Sequence, residues 1–128
     1  LGYPMLDEGV EIQAPIINTI FNKEKAEERI SQCLKIENPK AQAQEECFYH
    51  VLSEGNVKVI NEKIKRSVNI LYDQEKLPYL VEWKSMVSGD YALGIEPSTT
   101  MLDENFKYKV IKAQESIDFN LSIEVNDL

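Results

Sequence analysis

The feature that most constrains the fold is a strict alternation of apolar and polar residues near the end of the chain. Across nine positions, every second side chain is apolar, and those between are Asp, Asn, Ser or Glu. Successive side chains of a β-strand point to opposite faces, so this period of two predicts a half-buried antiparallel strand. The apolar positions are Ile117, Phe119, Leu121, Ile123 and Val125.

The rest of the chain indicates more strands and one short helix. Apolar residues at helical spacing, Ala26, Ile30, Cys33 and Leu34, predict a surface helix with Asn22 as its N-cap. Many short strands with one minor helix favour a mainly β fold, an antiparallel β-sandwich. The predicted strands cover residues 45–52, 57–61, 67–72, 79–86, 91–95 and 106–111.

Composition limits the number of domains and the kinds of partner. The 128 residues, 43% of them hydrophobic, suit a single domain over residues 1–128. The net charge of -8 opposes binding to phosphate backbones and anionic lipids, so we expect neither a nucleic-acid nor a membrane partner. No apolar run approaches the ~20 residues that a membrane span needs.

Cysteine and histidine content bears on metal binding and on location. Cys33 and Cys47 lie far apart and form no metal-binding spacing, so we predict two reduced thiols and a cytoplasmic protein. With one histidine and no cysteine pair, we expect no metal site. The sequence also has neither a Gly-rich phosphate loop nor a G-x-S-x-G nucleophile motif.

Residues 79–100 carry the densest set of candidate functional side chains. Along one predicted strand, Glu82 and Lys84 share a face while Trp83 points the other way. Two interpretations are open. The charged pair is exposed above a core tryptophan, or the charged face lines a concave site, where such groups hydrogen-bond sugar hydroxyls.

Glu96 is the best candidate for a catalytic residue. It follows the apolar residues 92–95 and precedes Pro97, so we expect a carboxylate at the mouth of a buried strand. Partial desolvation there would make it a better general base. The alternative is an ordinary exposed glutamate at a strand end.

His50 is the sole histidine and lies in the predicted strand of residues 45–52. Alternation places it on the same face as Glu46 and Phe48. A lone histidine near a strand end is more often a structural hydrogen-bond partner than a ligand or catalyst, and both roles are open here.

Three segments, in order, resemble the aldose 1-epimerase or galactose mutarotase-like superfamily. Residues 1–9, LGYPMLDEG, resemble its "N-x-G-Y-P-L-L-D-E-G" segment, and residues 45–50, EECFYH, resemble the "E-Q-V-F-Y-H" strand of its poorly characterised domain-of-unknown-function branch. Residues 77–97, which include LPYLVEWKSM and GDYALGIEP, resemble "L-P-Y-x-x-E-W-K-M-M-G-x-G-x-Y-x-x-G-L-E-P". After Pro97 the chain departs from the branch, which often has an asparagine there.

The resemblance implies the C-terminal half of a β-supersandwich that binds a monosaccharide and needs no cofactor. Glu96 matches the family's catalytic base, which takes the proton of the anomeric hydroxyl. His50, Glu82, Trp83 and Lys84 would shape the substrate site. The family's acid histidine would fall upstream of Leu1, so we expect this chain alone to be inactive or nearly so. A half-sandwich also exposes sheet edges, which predicts a possible homodimer.

Three hypotheses follow for the function. The first is an aldose 1-epimerase-like enzyme that interconverts anomers by acid–base ring opening. The second is a carbohydrate-binding module that recognises a sugar without turning it over. The third is a structural half of a sandwich that has no ligand of its own.

Overall fold

A computed structural model describes residues 1–101 and 107–128 of the chain. The described residues form eight strands and one short helix, which confirms the mainly β prediction. In chain order the elements are β1 Glu11–Gln13, β2 Ile16–Ile20, α1 Ala26–Gln32, β3 Glu46–Leu52, β4 Asn56–Asn61, β5 Arg66–Tyr72, β6 Tyr79–Ser85, β7 Ala92–Ser98 and β8 Leu121–Asp127.

The strands form two four-stranded sheets in which all paired neighbours are antiparallel. Sheet I has the order β1-β4-β5-β8, and sheet II has the order β2-β3-β6-β7. The face of each sheet that points to the other is its inner face, and the opposite face is its outer face. This arrangement confirms the predicted antiparallel β-sandwich.

The core lies between the inner faces of the two sheets. Val59 of β4 and Ile70 of β5 belong to one buried cluster with Leu52 of β3, Leu80 of β6 and Leu93 of β7. Burying each such aliphatic side chain stabilises the fold by about 1.5–3 kcal/mol. The alternating burial along β3 and β6 reflects this packing, because every second residue of each strand faces the core.

The turn between β3 and β4, which takes the chain from sheet II to sheet I, depends on a glycine. A Cβ placed on Gly55 would lie 2.0 Å from the backbone oxygen of Tyr72. The Gly55 carbonyl also accepts a hydrogen bond from the Tyr72 amide. The turn therefore packs directly against the end of β5, where no larger residue fits without moving backbone.

Helix α1 begins after Lys25, which adopts a left-handed φ of 59° and takes the N-cap position. The prediction of Asn22 as N-cap is therefore wrong. The helix is attached to sheet II through Arg29, whose Nε and Nη2 each lie 2.6 Å from a carboxylate oxygen of Glu46 on β3. Its Nη1 donates to Glu37 at 2.9 Å. Bidentate pairs of this kind fix both distance and orientation.

The last strand forms over Leu121–Asp127, so it begins four residues after the predicted start at Ile117, and its predicted burial is wrong. In the β5–β8 register Ile70 faces Ile123 and Val68 faces Val125, so the apolar residues of β8 share a face with core residues of β5. All seven residues of β8 are nevertheless exposed, because within the described residues sheet II does not extend over them. Of the predicted strand at 106–111, residues 107–111 form no strand, and Phe106 lies outside the described residues.

No helix in the described residues has the length and apolarity that crossing a membrane requires.

The ion pairs around Arg29 predict how stability depends on pH. Hydrogen bonds from Lys40 and, to a smaller extent, from Arg29 lower the pKa of Glu37 to about 2. Because this folded-state pKa lies below the unfolded value, the stabilisation is present above about pH 4.5 and is lost as the pH falls toward 2. We expect Glu37→Gln to lower the free energy of unfolding by about 1 kcal/mol at pH 7, since solvent screens this partly exposed group, and by less at pH 3.

Urea unfolding at several pH values measures this difference, with Glu54→Gln, in the exposed turn between β3 and β4, as the control. An equal cost for Glu37→Gln at both pH values would contradict it.

Candidate functional site

Sheet II divides the predicted site residues between its two faces. Side chains alternate along β6, so Glu82 and Lys84 lie on the inner face and Trp83 lies on the outer face. His50 of β3 is on the inner face and is 1% exposed. Glu96 of β7 pairs in register with Val81, which places it on the outer face with Trp83. The two groups are therefore separated by the thickness of the sheet.

The inner-face group is a buried hydrogen-bonded chain. His50 Nε2 lies 2.8 Å from Glu82 Oε2, and His50 Nδ1 lies 2.7 Å from the hydroxyl of Thr19 on β2. An ionised carboxylate only accepts hydrogen bonds, so Nε2 carries the proton that it donates to Glu82. In the neutral imidazole, Nδ1 then accepts from the Thr19 hydroxyl. His50 is thus held at both nitrogens.

Lys84 neutralises the buried carboxylate and binds the segment after α1. Its ammonium lies 3.1 Å from Glu82 Oε1, in ion-pair contact without hydrogen-bond alignment. The same group donates to the carbonyls of Cys33 and Lys35, the latter at 3.0 Å. Glu82 and Lys84 are 1% and 2% exposed, so the alternative of an exposed surface pair is wrong.

The inner face brings three potential metal-ligating side chains together. The donor atoms of Cys33, His50 and Glu82 lie within 4.8 Å of one another. Burial, with the charge of Glu82, raises the pKa of the Cys33 thiol to about 11, so the thiol keeps its proton at neutral pH. The Lys84 ammonium supplies a positive charge beside Glu82, and a dication bound here would compete with it.

The outer face carries a hollow of about 430 Å³ over β3, β6 and β7. Its size falls in the range of small-molecule sites. It combines aromatic surface, hydroxyls and one carboxylate, a mixture that can cover the apolar face of a ligand and hydrogen-bond its polar groups. The lining residues are Cys47, Tyr49, Val81, Trp83, Glu96, Ser98 and Thr100.

Glu96 lies within β7 and not at its end. The strand continues through Pro97 to Ser98, which a proline permits because β7 is at the edge of sheet II. Glu96 is exposed at the hollow, so the expectation of a partly desolvated carboxylate at the mouth of a buried strand is wrong. The Ser98 hydroxyl is bound to the Thr100 carbonyl at 2.7 Å, which fixes the rim beyond Glu96.

Trp83 forms the apolar wall of the hollow and is held at its polar edge. Its indole Nε1 donates to Glu45 Oε2 at 3.3 Å. Glu45 is in turn bound through its backbone carbonyl to the ammonium of Lys23. These contacts orient the indole ring, whose face is the kind of surface on which sugar C–H groups pack.

The five candidate site residues from the sequence analysis thus lie in two separate groups, one on each face of sheet II. The structure brings Glu96 and Trp83 together at the hollow, and it brings His50, Glu82 and Lys84 together behind the sheet. It also adds residues that the sequence analysis missed. Cys47 and Tyr49 share the outer face of β3, a fact that their alternation with Phe48 and His50 already indicates. Thr19 is different, because only the β2–β3 register places it opposite His50.

Comparisons with known proteins identify the family. Residues 1–125 match the model described as "Domain of unknown function (DUF4432)", so the chain belongs to this family. No curated protein matches the chain. Among solved structures, the chain is similar to a crystal structure described as that of "a putative aldose 1-epimerase from Klebsiella pneumoniae subsp. pneumoniae", with 25% identity and a TM-score of 0.67.

The similarity confirms the galactose mutarotase-like relationship that the sequence motifs indicate. It covers 76% of this chain and 27% of the Klebsiella chain. The chain therefore spans about a quarter of the length of the protein that it resembles. The fold is epimerase-like.

The buried charges on the inner face predict that removing one of them greatly lowers the stability of the fold. Lys84→Met keeps most of the side-chain volume but leaves the buried Glu82 carboxylate without its cation. We expect a loss of about 3 kcal/mol in the free energy of unfolding, measured with urea. Adding Glu82→Gln should recover part of this loss, because the uncompensated charge is removed.

The matched control for this variant is Lys65→Met. Lys65 forms an exposed ion pair with Glu62, and its removal should change stability by less than about 0.5 kcal/mol. A Lys84→Met protein as stable as the wild type would show that the buried pair does not stabilise this sheet.

Proposed function

We propose that the outer-face hollow binds a monosaccharide and that Glu96 is the general base of an aldose 1-epimerase-type reaction. The observation that carries this proposal is that one carboxylate, Glu96, and the Trp83 side chain line the same hollow, whose volume of about 430 Å³ can hold a monosaccharide. The similarity to the Klebsiella structure supports the same class of reaction. No cofactor is needed for this chemistry.

The proposed reaction needs one general base and one general acid. Glu96 takes the proton of the anomeric hydroxyl while an acid protonates the ring oxygen, and the bond between C1 and the ring oxygen breaks. The open chain rotates about the C1–C2 bond. Reclosure on the other face of the carbonyl, with both proton transfers reversed, gives the opposite anomer. General acid–base steps of this kind contribute about 10²–10⁴-fold in rate.

No histidine that could act as the acid is among the residues that line the hollow. Among the described residues, the one histidine is His50, which lies on the inner face and is held by Thr19 and Glu82. We therefore propose that the chain alone binds sugar with little or no turnover, and that the acid comes from elsewhere in the full natural protein. His50, Glu82 and Lys84 would support the hollow from behind through β3 and β6.

A non-catalytic carbohydrate-binding module is the second candidate. It is favoured by the exposure of Glu96, because catalytic sites of this kind usually exclude water from the reacting groups. A cytoplasmic location is part of the proposal and is supported by the free thiols of Cys33 and Cys47. Homodimerisation stays a prediction.

Anomer exchange in the full natural protein tests the proposal. NMR magnetisation transfer between the anomers of unmodified aldohexoses should reveal faster exchange than in buffer. Glu96→Gln should lower kcat/KM for exchange by about 10²-fold or more, because the amide cannot accept the proton. Sugar affinity, followed by isothermal titration calorimetry, should be retained.

Glu54→Gln is the control, since it removes an exposed carboxylate from the β3–β4 turn without touching the hollow. Binding without any exchange in the wild type would support the binding module. If the protein neither binds sugar nor speeds exchange, the proposal is refuted, and the hypothesis of a structural half-sandwich without a ligand remains.

A further inference from the structure

Gly94 stands two residues before Glu96 on the outer face of β7. It pairs in register with Trp83, while Glu96 pairs with Val81. The two β7 positions are therefore neighbours on the surface of the hollow. A side chain at position 94 would project toward the same space as the side chain of Glu96.

That space is occupied by the Glu96 carboxylate. A Cβ built on Gly94 would lie 2.3 Å from Glu96 Oε1 and 3.2 Å from its Cδ, and 3.4 Å from the Cβ of Trp83. The carboxylate therefore folds back over the glycine, beside the tryptophan. Real Cβ atoms do not approach oxygen to 2.3 Å, so any residue with a side chain at 94 would displace the carboxylate.

The backbone gives no other reason for a glycine at this position. Among the described glycines, the left-handed φ values occur at Gly9 and Gly89, and Gly94 lies in a regular strand. Glycine inside a strand costs about 0.5–1 kcal/mol relative to alanine, because the unfolded chain is freer. A glycine here weakens the strand and leaves room for the carboxylate.

We propose that Gly94 is a positioning residue for Glu96: its missing side chain forms the seat in which the carboxylate lies. The seat has the Gly94 backbone as its floor and Trp83 as its side. It sets the direction from which the base meets the anomeric hydroxyl, so this inference rests on the proposed function. A displacement of about 1 Å of a catalytic group can cost about 10²-fold in rate.

The test is Gly94→Ala in the full natural protein. The flexible Glu96 side chain can rotate away, so the fold should tolerate the methyl group, and the midpoint of unfolding should stay unchanged or rise. The kcat for anomer exchange should fall by about 10- to 100-fold with little change in KM. In Glu96→Gln, adding Gly94→Ala should cause no further loss, because Gly94 acts through Glu96.

Gly55→Ala is the matched control. Its Cβ would meet the backbone oxygen of Tyr72 at 2.0 Å, so it should lower the midpoint of unfolding while exchange per folded molecule is unchanged. A Gly94→Ala protein that loses activity and stability together, or that keeps wild-type exchange, would overturn the inference.

A second readout separates this inference from the proposed function. The indole ¹H–¹⁵N resonance of Trp83, assigned in the full natural protein by its loss in Trp83→Phe, reports on the Glu96 carboxylate, which lies beside Trp83 at the Gly94 seat. Gly94→Ala should shift this resonance, and the same substitution in a Glu96→Ala background should shift it much less. Equal shifts in the two backgrounds would show that there is no seat. If the wild type shows no exchange, the proposed function fails, and this comparison still decides whether the seat exists.

Discussion

The arrangement of sheet II depends on the buried ion pair between Glu82 and Lys84, in which Glu82 also accepts a hydrogen bond from His50. A buried carboxylate is tolerated only with partners, and here all its partners lie on the inner face. This fixes which way β6 presents its side chains. A slip of one residue would bring Glu82 and Lys84 to the outer face and turn Trp83 into the core.

The outer face follows from the same constraint. With Glu82 inside, Val81 and Trp83 must point out, and the β6–β7 register then sets Glu96 and Gly94 beside them. The polar chain behind the sheet and the hollow in front of it are therefore two consequences of one register. Glu82 and Lys84, which the family resemblance places in the substrate site, lie buried on the inner face and do not line the hollow.

The sequence predicted the fold class well because period-two patterns and turn residues are local signals. It did not predict that Trp83 and Glu96 share the outer face, since alternation gives the face within one strand but not the register between strands. The contacts of Lys84 with Cys33 and Lys35 join residues about 50 positions apart, which no local pattern reports. The exposure of β8 was missed because its alternation gives the inward face but not what covers that face.

An NMR titration of the ¹⁵N-labelled full natural protein with monosaccharides tests most directly whether the outer-face hollow binds sugar. Trp83 and His50 lie on opposite faces of sheet II, so their ring resonances, once assigned, report on the two faces separately. We expect the Trp83 indole resonance and the Glu96 amide to shift in proportion to bound sugar, while the ring of His50 changes little. Shifts confined to residues outside the hollow, with the Trp83 indole unchanged at saturation, would contradict binding at this place.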